Sequence, residues 1–346
     1  MKTLFLILCS YFFLSGCTPS KEDISSTIKD VTPHELKGEV FGSYFIIKYR
    51  GNLTPEIFRT ELAAFFKDFN TEFNTYQSDS VISQFNALKA HQKMKVSPRF
   101  IEMLKLAQKF YNETHGAFDP TLSPVIKLWG FGGGKSSKAP KSAEIQSALK
   151  KVGFTSIKWD EKEGEVWKSK DGLTLDLNAF APGWAADLIG DLFSKHEIAH
   201  FMVDISGEIL VRGERGPGSP WIMGIEKPSP NLHEGVHLAF KLSSGAIATS
   251  GNYRQYYDEA GKRFSHILDP KTGRPVGHNI ASASVIAETC AQADAWSTAM
   301  MVLGREGIPM AELQGIKSYL IDSPKEGVFE PIISPFMQNF LKENSP

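Results

Sequence analysis

Apolar residues recur along the chain with two different periods, and the switches between them mark out its elements. Over 40–49 they fall on alternate positions, with Phe45 and Ile47 on one side and Ile46 and Lys48 on the other, which predicts a first strand. Thr54 and Pro55 then supply a helix cap and a first-turn proline, and Ile57, Phe58, Leu62, Phe65, Phe66 and Phe69 follow at helical spacing. Ser97 and Pro98 repeat that opening ahead of Ile101, Leu104 and Phe110, in a helix expected to end near Gly116. A shorter helix is expected over 142–152, stopped by Gly153. Another follows Gly183, where Ala186, Leu188, Ile189, Leu192 and Phe193 form one face. Short strands are then expected at 200–205, 208–212, 221–226, 236–242, 263–268 and 281–287, between clusters of Gly, Pro and Ser. Spacings this short favour antiparallel hairpins. A helix pair near 291–314 and a strand at 317–322 complete an α+β chain of packed helices and mainly antiparallel sheet. Two lobes around a cleft are expected, without internal repeat or clear linker, so 38–346 is treated as one catalytic domain.

The amino terminus has a different grammar. Lys2 precedes an apolar stretch over 4–14, too short to span a bilayer and suited to a secretory signal. It ends in Leu14, Ser15, Gly16 and Cys17, an order that resembles the bacterial lipobox. Residues 1–16 are therefore expected to be a signal peptide, and 17–37 a lipidated Cys17 with a flexible tether. The polar run 18–33 would reach about 20 to 25 Å. If the host has two membranes, Thr18 rather than Asp after the cysteine favours the outer membrane by the sorting pattern of lipoproteins. An exported, membrane-anchored protein facing the periplasm is the expectation.

Composition narrows the rest. With 346 residues, 42% of them hydrophobic, and a formal net charge of -1, the chain can bury a large core and offers no long-range attraction to nucleic acid. Any anionic ligand must be held by local chemistry. Of three cysteines, Cys9 lies in the segment to be removed and Cys17 is to carry lipid. Cys290 is left without a partner for an intrachain disulfide, and is expected to be a small buried residue.

Two segments invite chemical readings. Trp129 to Ser136 reads WGFGGGKS, which ends like a phosphate loop, yet Trp129 stands where that motif needs glycine. Asp294 and Thr298 are the better signal, because four residues of helix place a carboxylate and a hydroxyl on one face. That pair suits a hard cation such as Mg2+. A carboxyl bonded to backbone, with Thr298 bonding back along its own helix, is the plainer alternative.

Four stretches in order add a resemblance. FDPTLSPVIKLWGFG from Phe118, DLNAFAPGWAAD from Asp176, ATSGNYRQYYDEAGKRFSHILDPKTGRPV from Ala248 and ADAWSTAMMVLG from Ala293 resemble the ApbE family of FAD-dependent protein FMN transferases, over roughly 38–325. The resemblance implies a two-lobed fold with a cleft for FAD. It further implies side-chain ligation of magnesium by Asp294 and Thr298, with the Ala179 carbonyl as a third protein ligand. Tyr76, Ala117, Phe118, Asp119, Asp176 and Leu268 match positions beside the flavin nucleotide. Phe41 stands where the family often has Met before Gly, and keeps an apolar surface for the isoalloxazine. Pro182 replaces a Lys or acidic residue, so that side-chain contact is absent.

The chemistry this implies is attack of an acceptor hydroxyl on the FMN phosphorus, with AMP expelled and Mg2+ stabilising the charge that develops. His266 is the candidate base, since its unperturbed pKa suits proton transfer near neutral pH. The implied partners are FAD and acceptor flavoproteins of electron-transport complexes. Two rivals stay open: an FAD pyrophosphatase giving FMN and AMP, and a non-catalytic periplasmic flavin-binding lipoprotein.

Overall fold

The computed structural model describes residues 33–132, 139–228, 235–252, 256–259, 262–325 and 327–346. Eight strands make one sheet: β1 (Pro33–Val40), β2 (Ser43–Arg50), β3 (His200–Ile205), β4 (Glu208–Arg212), β5 (Ser244–Gly251), β6 (Ile280–Ala287), β7 (Lys317–Lys325) and β8 (Val328–Ile333). Their order across the sheet is their order in the chain, and every neighbouring pair is antiparallel. Everything else sits in the connections or after the last strand. The longest connection, from β2 to β3, carries helices α1 (Pro55–Phe73), α2 (Val81–Ala87), α3 (Pro98–Glu113) and α4 (Ala181–Lys195). It also carries a small sheet of Met94–Lys95, Glu165–Lys168 and Ile157–Asp160. Helix α5 (Cys290–Leu303) lies between β6 and β7, and α6 (Pro335–Glu343) follows β8.

Alternation along the strands assigns the two faces of the sheet. Phe201, Val203 and Ile205 of β3 and Ala283, Val285 and Ala287 of β6 join the larger core with α1, α4 and α5. Met202, Val211, Ile247 and Ile286 point the other way, under the hairpin Trp221–Glu226 with Val236–Leu242 and under Met337 of α6. Covered on both sides, β6 is buried at all eight positions. Helix α5 is also buried nearly all round, and its Ala and Met composition is what an interior helix requires. Cys290 is fully buried there as a free thiol.

Several expectations shift. The strand expected over 40–49 is instead the hairpin β1–β2, closed by Phe41 and Gly42 at φ of 53° and 74°. Both central residues left-handed is the turn that matches strand twist. Residues 33–37, expected to end the tether, instead pair with β2 as the start of β1. The single strand expected over 263–268 divides into Lys262–Ser265 and Leu268–Asp269. Strand β5, with sequence SGAIATSG, has little intrinsic strand preference and forms because β4 and β6 pair with it on both edges. β8 and α6 were also not anticipated. Cys17, the signal segment and Lys135 lie outside the described residues; among the described residues no helix is long and apolar enough to cross a membrane.

The β3–β4 turn offers a stability test. Ser206 and Gly207 take φ of 62° and 106°, and the Gly207 N–H donates to Asp204 Oδ1 at 2.9 Å. Burial pushes the Asp204 carboxyl up to about 6, against the pull of that N–H and of Lys48. A carboxyl raised on folding binds its proton more tightly in the native state, so its ionisation costs stability above that pKa and costs nothing below the unfolded value. Asp204→Asn keeps an acceptor for Gly207, and is expected to stabilise by up to about 3 kcal/mol near pH 8 and by nothing below about pH 4. Denaturant unfolding at the two pH values measures it.

Candidate active site

A cleft of about 590 Å³ opens between the β1–β2 turn, the end of α1 and the start of α4, a size suited to a drug-sized ligand. Phe41 stands in its wall at the hairpin tip, held in the left-handed region and leaning on Phe69 (5.2 Å between centroids) and Phe66 (5.9 Å). Tyr76 is 82% exposed at the rim, its N–H bonded to Asn74 Oδ1 at 2.8 Å. Leu177, Asn178, Ala181 and Pro182 form the facing wall. An exposed tyrosine and a propped phenylalanine are surfaces on which a planar ring can stack.

Behind that facing wall lies a buried acid centre on α5. Asp187 of α4 receives the first N–H groups of α5, from Cys290 at 2.7 Å and Ala291 at 2.8 Å. Burial nonetheless pushes its carboxyl up to about 6. Further along α5, Asp294 is 5% exposed and its Oδ2 accepts the Gly183 N–H at 3.1 Å. Burial pushes this carboxyl up to about 7; the Gly183 N–H opposes the shift and Asp187 adds to it. Glu208 at the start of β4 is raised well above the carboxylate range by burial and by Asp294. Hydroxyls complete the centre. Thr298 Oγ1 lies 3.3 Å from Ser250 Oγ of β5, which is 2.8 Å from Ser297 Oγ, and Ser297 donates to the Asp294 carbonyl at 2.8 Å.

This donor set fits a hard cation. One desolvated carboxylate and neighbouring hydroxyls are oxygen ligands, and a positive charge is what would return Asp294 to its ionised form. Among the described residues no group of three or more His, Cys, Asp or Glu side chains could hold a metal. A cation here would therefore draw on hydroxyl, backbone carbonyl and substrate oxygens, as Mg2+ commonly does.

The remaining candidates are distributed around these two features. Asp176 and the FDP segment meet directly, the Asp176 N–H donating to the Pro120 carbonyl at 2.8 Å. Burial raises both Asp119 and Asp176, opposed by the Thr121 hydroxyl and N–H on Asp119 and by the Asn178 N–H on Asp176. Ala117 and Phe118 are core residues, Phe118 meeting Phe180 edge-on at 5.7 Å. Leu268 is buried with Leu122, Val125 and Trp129, whose indole donates to the Gly273 carbonyl at 2.8 Å. His266 is half-buried on the adjoining stretch, its ring 6.2 Å from that of Phe131. Ala179 is half-buried between Asn178 of the cleft and the first turn of α4. The structure thus unites Phe41, Tyr76 and Pro182 in one wall system, sets Asp294 and Thr298 behind it, and leaves Leu268 and His266 outside the cleft lining.

Residues 41–320 match the ApbE family model, a span from the cleft-wall Phe41 to the middle of β7. The chain belongs to the ApbE family. A Vibrio cholerae relative, named an FAD:protein FMN transferase, is 33% identical over 343 residues, covering 97% of this chain and 98% of its own. A Haemophilus influenzae relative of the same name is 33% identical over 317 residues, covering 89% of this chain and 92% of its own. Among solved structures, flavin transferase ApbE from Vibrio cholerae superposes with a TM-score of 0.80 at 30% identity, over 90% of this chain and 100% of that one. The apo flavinyl transferase ApbE of Pseudomonas stutzeri gives 0.82 at 30% identity, over 90% and 98%. The ApbE span contains the cleft, the acid centre and the His266 stretch.

Four site residues escaped the sequence reading: Gly183, Asp187, Ser250 and Glu208. Gly183 and Asp187 had a signal, since four residues of α4 put them on one face within an already conspicuous stretch. Ser250 also lay within a quoted stretch, ATSGNYR, but nothing local pointed it at Thr298, and Glu208 lay outside all four stretches. Gly183 is where α4 and α5 touch: a Cβ there would lie 2.8 Å from the Asp294 Cβ and closer still to the Cys290 carbonyl. Gly183→Ala is expected to destabilise by about 1–3 kcal/mol through overpacking. It should also lower flavin-transfer activity in the fraction that folds, as paired unfolding and turnover measurements would show.

Proposed function

We propose that the protein is a Mg2+-dependent flavin transferase that moves FMN from FAD onto a Ser or Thr hydroxyl of a partner protein and releases AMP. The observation that carries this is the Gly183–Asp294 hydrogen bond, which fastens a buried carboxylate to the first turn of α4, the same turn that walls the aromatic cleft. Flavin is to lie against Phe41 and Tyr76, with the pyrophosphate directed toward the DLNA segment. The names of the Vibrio cholerae and Haemophilus influenzae relatives support the same activity.

Asp294, Thr298 and the Ala179 carbonyl would hold the metal. A metal held there would supply positive charge against the developing negative charge of the phosphate leaving group. The chain's own groups do the rest. The acceptor hydroxyl oxygen forms a bond to the FMN phosphorus, the bond from that phosphorus to the bridging oxygen breaks, and AMP leaves with the electron pair. A ring nitrogen of His266 takes the hydroxyl proton. Asp187 and Thr289 fix the start of α5 and thereby the position of Asp294.

Incubating the purified full-length protein with FAD, Mg2+ and an acceptor protein, then weighing the acceptor, tests the reading. A covalent FMN adduct is expected. Free FMN and AMP with unmodified acceptor would establish the pyrophosphatase instead, and unchanged FAD the carrier. Asp294→Ala is expected to abolish Mg2+-dependent turnover, with Thr298→Ala milder. His266→Ala should keep FAD and metal binding while slowing transfer by about 10²- to 10⁴-fold.

The protein is further proposed to be a lipoprotein anchored through Cys17 and facing the periplasm. Cys17→Ser should move it from the membrane fraction to the soluble one. Wild-type protein recovered from the cytoplasm with residues 1–16 intact would refute the anchor.

A further inference from the structure

The DLNA segment approaches the site through Leu173 and Leu175, and the half-buried Asn86 and the fully buried Lys168 grip that approach. Asn86, near the end of α2, pairs with Leu175 in both directions: Nδ2 donates to the Leu175 carbonyl at 2.9 Å, and Oδ1 accepts the Leu175 N–H at 2.7 Å. Lys168 is fully buried and donates from Nζ to the Leu173 carbonyl at 2.7 Å and the Asn86 carbonyl at 2.8 Å. Both acceptors are neutral, and the Phe85 ring lies 5.6 Å from the ammonium. Burial holds the Lys168 ammonium below the usual lysine range, with Asp171 opposing. The Asn86 carbonyl belongs to the C-terminal turn of α2, where carbonyls lack helical partners and a cation is favourable.

Past this clamp the segment is anchored in the core by Leu177 and Phe180 and makes few further backbone hydrogen bonds. The Asp176 N–H reaches the Pro120 carbonyl, and the Phe180 and Ala181 N–H groups return to the Leu177 carbonyl at 2.9 and 2.8 Å. Ala179, half-buried between these two anchors, follows the Asn86 clamp by four residues and precedes the first turn of α4. The opposite end of α2 starts at Ser80, whose hydroxyl donates to the Asn74 carbonyl at 2.7 Å, in the loop that presents Tyr76. One short helix thus braces the flavin rim at one end and the DLNA approach at the other.

We infer that Asn86, braced by Lys168, is a positioning residue that sets the Ala179 carbonyl where a cation on Asp294 and Thr298 can meet it. The inference rests on the proposed metal reading. Partners that orient ligands of a metal commonly change its affinity by about 10- to 100-fold when removed. Loss of the clamp should therefore weaken metal binding while leaving the aromatic cleft able to take flavin.

The test uses the purified full-length protein and its Asn86→Ala, Asn86→Asp and Lys168→Met variants. Half-saturating Mg2+ is measured in FAD turnover, direct Mn2+ binding by electron paramagnetic resonance, FAD binding without metal by flavin fluorescence, and thermal midpoint in parallel. Asn86→Ala and Lys168→Met are expected to raise the half-saturating metal concentration in both metal assays, by about 10- to 100-fold for Asn86→Ala. FAD binding without metal should stay at the wild-type value. Asn86→Asp, which keeps the acceptor for the Leu175 N–H, should fall between wild type and Asn86→Ala, and it carries the comparison if the alanine variant does not fold. A lowered thermal midpoint with wild-type metal dependence in the folded variants overturns the inference alone. A wild-type protein that binds no Mn2+ and turns over FAD without Mg2+ overturns the metal reading and the inference together.

Discussion

Helices α4 and α5 can approach closely only because Gly183 has no side chain, and the contact this allows places the Gly183 N–H 3.1 Å from a buried carboxylate oxygen of Asp294. Much of the site depends on that junction. It fastens the start of α4, and with it the DLNA segment and one wall of the cleft, to the interior helix. It also withdraws Asp294 from water, so that burial drives the carboxyl toward neutrality unless a cation restores the charge. Structure and reactivity share one cause here.

The sheet supplies the rigidity that this arrangement needs. Because β6 is covered on both faces and α5 packs on β5 and β6, Asp294 and Thr298 ride on a helix locked from two sides. The candidate site then sits on the inserted connections: the long β2–β3 excursion brings the FDP and DLNA segments, and the β1–β2 turn brings Phe41. The left-handed backbone at Phe41 is an uncommon conformation for a bulky residue, stabilised by its packing on Phe66 and Phe69. The cost of that conformation falls where an aromatic face can serve a ligand.

The cleft and the acid centre both lie within the ApbE span, although the two are built differently. The cleft is lined by exposed and half-buried groups that a ligand can reach. The acid centre is assembled from groups already satisfied in part by backbone N–H donors and hydroxyls. A substrate bridging them would have its ring in the first and its charged portion at the second, which is the separation of apolar and anionic character within a flavin nucleotide.

Local pattern carried much of this in the sequence itself. Helical spacing located α1, α3 and α4, Ala- and Met-rich composition located α5, Ser97 and Pro98 marked a true helix start, and Asp294 with Thr298 was visible as a one-face pair because helical geometry acts over four residues. Ordered motifs identified the family. Tertiary structure alone decided what depends on contacts between distant segments. SGAIATSG became a strand through its two neighbours, and the apparent single strand near 45 folded back through Phe41 and Gly42. Ser250 reached Thr298, Glu208 came under the electrostatic influence of Asp294, and Asn86 clamped Leu175 across 89 positions of chain. A sequence records which groups can desolvate, bond or pack; which partner each one meets is set by long-range pairing and burial, whose free energy belongs to the whole fold rather than to any local window.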